Sequence, residues 1–164
     1  MKRCYAFTLC VFCLSMTAAA HAGWQQTKWG MTESQVIKAV PGVEITITDP
    51  PSGGPPVRGV HAPYSASGIK MTALFKFEMG ALKTVSLTPE SFADCELIKD
   101  PLLAKYGRPE TDQNDQVRGS SMLTWRWKDA VGENSIEYKF MSIMGSILCS
   151  VKYESLDAAE NNGF

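Results

Sequence analysis

Met122-Leu123-Thr124-Trp125-Arg126-Trp127-Lys128 is the stretch whose reading decides the fold class. Successive side chains of an extended chain point to opposite faces, so Leu123, Trp125 and Trp127 share one face and Thr124, Arg126 and Lys128 the other. The same period returns downstream. Ile136, Tyr138 and Phe140 alternate with Glu137 and Lys139, and Ile147, Cys149, Val151 and Tyr153 alternate with Ser150 and Lys152. Gly132-Glu133-Asn134 and Met144-Gly145 supply the turns. Strands with one apolar and one polar face imply an antiparallel sheet covered on one side.

Working upstream, residues 110–119 read as a polar connection. Before it, Thr88-Pro89 reads as a helix start, with Thr88 as cap and Pro89 at the first helical position. Phe92, Cys95, Ile98, Leu102, Leu103 and Tyr106 supply its apolar positions. Pro101 predicts a kink with Asp100 capping a second segment, and Gly107 and Pro109 end it. Residues 69–78 and 82–87 alternate around Met79-Gly80 and predict a hairpin. Residues 43–48 alternate strictly and predict a strand with one buried face. Thr32 and Gln35 form a capping-box pattern, Met31 and Val36 a hydrophobic staple, for a helix that Pro41-Gly42 ends.

Asp49 to Pro63 carries five prolines and three glycines and reads as a long surface loop. Proline restricts the unbound backbone and lowers the entropy lost on binding. Arg58, His61 and Tyr64 add anchors of the kind found at interfaces, which makes this segment a candidate binding loop; a mobile spacer is the other reading. Trp125, Trp127, Tyr138 and Phe140 are compatible with core filling against the helices and with a candidate ligand pocket.

The expected fold is therefore α+β in two layers. It has an antiparallel sheet of about six strands with two helices on one face, and its helix-then-three-strands order hints at a duplicated α-β-β-β unit.

The chain begins Met1-Lys2-Arg3, continues through an apolar run to Met16, and reaches Ala20-His21-Ala22. That is a secretory signal over residues 1–22, with cleavage after Ala22. Its apolar run is too short to cross about 30 Å of hydrocarbon. Leu9 before Cys10 and Phe12 before Cys13 do not suit a lipid-modified cysteine. One domain is expected over residues 23–154, then a flexible tail over 155–164, and the location expected is periplasmic or secreted. The formal charge of −1 becomes −3 once Lys2 and Arg3 leave, which argues against nucleic acid or an anionic membrane as partner.

Cys4, Cys10 and Cys13 leave with the signal. Cys95 and Cys149 remain, and in an oxidising compartment a disulfide is the expected state. Cys95 sits on the apolar stripe of a predicted helix and Cys149 on the apolar face of a predicted strand, so a helix-to-sheet bridge is sensible.

No nucleophilic, phosphate-binding or metal motif emerges. His61 lies in the Pro/Gly segment, and Cys95, Cys149 and His61 are too scattered for a zinc site. Asp112 and Asp115 lack the surroundings of a calcium loop. No cofactor and no enzymatic activity are expected.

Two segments carry a resemblance. Trp29-Gly30-Met31-Thr32-Glu33-Ser34-Gln35-Val36 resembles the helix start of small bacterial envelope proteins, among them the outer-membrane assembly lipoprotein family and the β-lactamase inhibitor fold. Leu103-Ala104-Lys105-Tyr106-Gly107-Arg108-Pro109 is similar to helix ends of many periplasmic proteins. The resemblance implies a non-enzymatic envelope role, mostly protein binding. The expected function is a protein-binding module with an unknown envelope protein as partner; an inhibitor or immunity-type protein and a small apolar ligand carrier are the alternatives.

Overall fold

The computed structural model describes residues 22–50, 53–117 and 119–161. The signal expected over 1–22 lies outside them except for Ala22, as do Pro51, Ser52, Arg118 and residues 162–164. Helix α1 spans Glu33–Ala39. Strands β1 (Glu44–Thr48), β2 (Val57–Ala66), β3 (Ile69–Glu78) and β4 (Ala81–Pro89) follow as a meander. A 3-10 turn over Phe92–Cys95 and helix α2 (Lys99–Tyr106) lead to a second meander, β5 (Thr111–Val117), β6 (Ser120–Asp129), β7 (Asn134–Ile143) and β8 (Ser146–Ser155). Helix α3 covers Leu156–Asn161.

The strands form one eight-stranded antiparallel sheet in the order β1-β2-β3-β4-β8-β7-β6-β5. The meanders join where β4 pairs with β8, from Thr84 opposite Glu154 to Leu87 opposite Val151. Met79-Gly80 and Met144-Gly145 turn two of the hairpins. Both residues of each pair have positive φ, the conformation that matches the twist of adjoining strands.

The expected six-stranded sheet with two helices on one face is overturned. There are eight strands, and helical cover is short and divided between the faces. Two strands had no apolar signal. β2 occupies the second half of the Pro/Gly segment. Its Pro63 lies opposite Thr72 of β3 but beyond the end of β1, which pairs only as far as His61, and a Cβ on Gly42 would lie 3.4 Å from the Pro63 ring. β5, Thr-Asp-Gln-Asn-Asp-Gln-Val, is the other edge of the sheet, where charge and exposure replace burial. β1 also differs from expectation. All five of its residues are exposed, because it too is an edge. The second helix begins later than the sequence suggests: Thr88 and Pro89 end β4, and α2 starts after a 3-10 turn with Ile98 at its N-cap rather than Asp100. Pro101 falls in its first turn, where proline costs no backbone hydrogen bond.

On the face bearing the large apolar side chains, Val60, Ala73, Phe75, Val85, Leu87, Val151, Ile136 and Tyr138 form a buried core with Trp24, Val36, Ile98 and Leu102. Cys95 and Cys149 form a disulfide with Cα atoms 5.7 Å apart, which pins the 3-10 turn to β8. The Tyr138 hydroxyl donates to the Cys95 carbonyl at 2.8 Å, and Trp127 Nε1 donates to the Gly107 carbonyl at 2.9 Å. On the opposite face α3 packs near β7 and β8: the Leu156 N–H donates to the Glu133 carbonyl, Ala159 is buried, and Glu160 reaches Lys128 at 3.7 Å. No helix among the described residues is long and apolar enough to cross a membrane.

Candidate binding surface

The polar face of β6, β7 and β8 is ordered in rows by the strand register. Starting from the α3 end, the first row sets Lys128, Ser135 and Glu154 side by side. The next holds Arg126, Glu137 and Lys152; the third Thr124, Lys139 and Ser150; the fourth Met122, Met141 and Leu148. Charge therefore gives way to apolar side chains along the strands, towards the Met144-Gly145 turn.

Glu137 is the centre of the charged rows. It is buried, and its carboxylate is surrounded by three cations. Arg126 donates from Nε and Nη2 to Oε2, both at 2.8 Å; Lys139 lies 3.2 Å and Lys152 3.8 Å from Oε1. Lys152 also pairs with Glu154 at 2.9 Å. Burial alone would raise the pKa of Glu137. Lys152, Arg126 and Lys139 outweigh it and hold the carboxyl below its ordinary value. A buried carboxylate needs such partners, because unpaired charge out of water is costly. The arrangement fixes the lysines in a defined pattern while leaving them accessible: the Lys139 side chain is 43% exposed and that of Lys152 34%. Ser135 Oγ, in the adjacent row, is buried without a hydrogen-bond partner among the described residues.

The apolar end carries Met122 and Met141, half-buried, and Leu148 and Ile143, exposed. With Asp115, Ser120 and Ser121 the methionines and Ile143 border a depression of about 200 Å³.

The candidate residues read from the sequence lie elsewhere. Arg58 and Tyr64 share a face of β2, and His61 points to the other. Arg58 pairs with Glu33 of α1 at 2.7 Å, and His61 Nε2 is 3.6 Å from Glu44 across the β1–β2 register. Tyr64 stacks edge-on to Trp24 at 5.0 Å and accepts a hydrogen bond from Gln25. The structure does not gather these three into one site. Trp125, Trp127, Tyr138 and Phe140 do share the apolar face. Trp127 and Tyr138 are 2% and 0% exposed, Trp125 donates to Asp112 at 2.9 Å, and Phe140 lies under Lys99 at 4.8 Å. The larger groove on that face lies beside other residues, from Tyr64 to Tyr153.

Arg126, Glu137, Lys139 and Lys152 were visible in the sequence only as the polar alternates of three strands. Nothing short of the register puts three cations on one carboxylate. No group of three or more His, Cys, Asp or Glu residues able to hold a metal occurs among the described residues. The chain matches no protein-family model, no curated protein and no solved structure.

Proposed function

We propose that this chain is an exported, non-enzymatic protein-binding module of the bacterial envelope, and that the polar face of β6–β8 meets a partner surface that is acidic and apolar side by side. The observation that carries the reading is the ordered transition on one sheet face, from Lys139 and Lys152 around Glu137 to Met122, Met141 and Leu148. Lysines already fixed in place lose little side-chain entropy on pairing again, and methionine is enriched at interfaces. The patch is locally cationic on a chain of net charge −1, so it favours carboxylates on the partner. Export is supported by Lys2-Arg3, the apolar run to Met16, the Ala20-His21-Ala22 site and the disulfide.

The test is affinity capture from crosslinked envelope of the host, with three baits. Wild type should retain a stoichiometric partner. Leu148→Asp and Lys139→Glu, which leaves Arg126 and Lys152 on Glu137, should each lose it while keeping the wild-type near-UV spectrum. An Arg58→Ala bait should retain it. A partner kept by both face variants, or lost only with Arg58→Ala, would reject this surface.

A further inference from the structure

The helix-covered face holds a groove of about 380 Å³ between α2 and strands β2, β3, β4 and β8. Its floor is Met71, Leu87 and Val151, its wall Ile98 and Leu102, and Ala66 lies at the end near the β2–β3 turn. This floor and wall are apolar, and a space of this volume matches a small ligand.

Apart from Ser67 at the β2–β3 turn, the polar groups gather at one end. Tyr64 and Tyr153 both border the groove, together with Lys105. The Tyr106 hydroxyl is 3.5 Å from that of Tyr153, and Gln25 donates to the Tyr64 oxygen at 3.3 Å. Tyr64 thus accepts from Gln25, and the Tyr106 and Tyr153 hydroxyls share a contact in which either can donate. The Lys105 ammonium sits 4.8 Å from the centre of the Tyr106 ring. Burial, foremost, pushes the Tyr106 and Tyr153 phenols upward, so both remain protonated donors at neutral pH. Lys105, acting on Tyr153, opposes that rise. Two O–H donors and a cation at the head of an apolar trough are complementary to an oxyanion on a hydrocarbon chain.

We infer that this groove binds an anionic amphiphile, with the hydrocarbon chain along Met71, Val151 and Leu102 and the carboxylate or similar head between Lys105 and the hydroxyls of Tyr64 and Tyr153. The site is separate from the polar sheet face and stands or falls independently of it.

Titration calorimetry of the disulfide-bonded protein with laurate, dodecyltrimethylammonium and dodecanol, each below its micelle or solubility limit, tests the assignment. Laurate should bind saturably at one per chain, at least tenfold more tightly than dodecyltrimethylammonium. Lys105→Met should weaken laurate about tenfold and leave dodecanol unchanged. Ala66→Phe, which fills the trough, should abolish laurate binding. Trp24, 5.0 Å from Tyr64, gives a second readout, since its fluorescence should shift on occupancy and not in Ala66→Phe. The near-UV spectrum checks that both variants are folded. Absence of saturable laurate binding to wild type would overturn the proposal. So would equal affinity for the cationic amphiphile, indifference to Lys105→Met, or undiminished binding by folded Ala66→Phe.

Discussion

Glu137 shows how much a single side chain depends on its neighbours. With Arg126 at 2.8 Å and two lysines on its other oxygen, its carboxyl titrates below the ordinary value near 4.5. A group with a lowered folded pKa contributes stability that is present above the unfolded value and lost as pH falls through the folded one. Glu137→Gln should therefore cost about 1–3 kcal/mol at pH 7, an interval set by losing charged hydrogen bonds to partly exposed partners. The gap between wild type and variant should narrow as the pH falls below about 4.5, the ordinary value, and close below the folded one. Urea melts of both proteins across pH 3–7 measure it; a gap independent of pH would remove the charge from the explanation. Ser135 makes the opposite case. Its hydroxyl is buried and has no partner among the described residues, so Ser135→Ala should stabilise by about 1 kcal/mol, read as a higher urea midpoint at unchanged slope.

Among the elements, position in the sheet decides what an apolar residue contributes. Ile136 on β7 is wholly buried between β6 and β8. Ile47 on β1 carries the same side chain at 69% exposure on an edge. Ile136→Ala should cost about 2–5 kcal/mol, the lost transfer energy plus a cavity, and Ile47→Ala less than about 0.5 kcal/mol. Thermal melts of the two variants decide the matter; comparable losses would mean that β1 is covered in solution. The 3-10 turn and α2 belong to the same argument. They are too short to persist alone and are held by the Cys95–Cys149 bond and by the Tyr138 and Trp127 hydrogen bonds to backbone carbonyls.

At the scale of the whole molecule, two four-stranded meanders meet along β4 and β8, where four residue pairs are in register. The disulfide spans 54 residues and ties the connector between the meanders to the last strand. Closing a loop of that length stabilises by roughly 4 kcal/mol on the chain-entropy account. The double variant Cys95→Ala, Cys149→Ala should lose about 2–4 kcal/mol and still show one cooperative transition, since the core of the apolar face is continuous across β4 and β8. Two separated transitions in a calorimetric melt would show instead that the disulfide, not the shared sheet, couples the meanders.

What the sequence determined by itself was local. Alternation along residues 122–128, 136–140 and 146–153 specified strands and their apolar faces, because the side-chain period of a strand is fixed by covalent geometry. Met79-Gly80 and Met144-Gly145 specified turns, because few residues accept positive φ. The pairing of Cys95 and Cys149 was expected because they are the two cysteines that remain once the signal leaves, whereas the 3-10 turn that carries Cys95 was not. β2 and β5 were not legible, because an edge or Pro-rich strand is held by backbone pairing and leaves no period in hydrophobicity. The rows of the polar face were not legible either. Glu137 meets Arg126 and Lys152 only through the register of three strands, and Tyr64 and Tyr153 come to border one groove only across a folded sheet. Those juxtapositions belong to the tertiary structure, since hydrogen-bond register, not residue type, sets which side chains stand opposite one another.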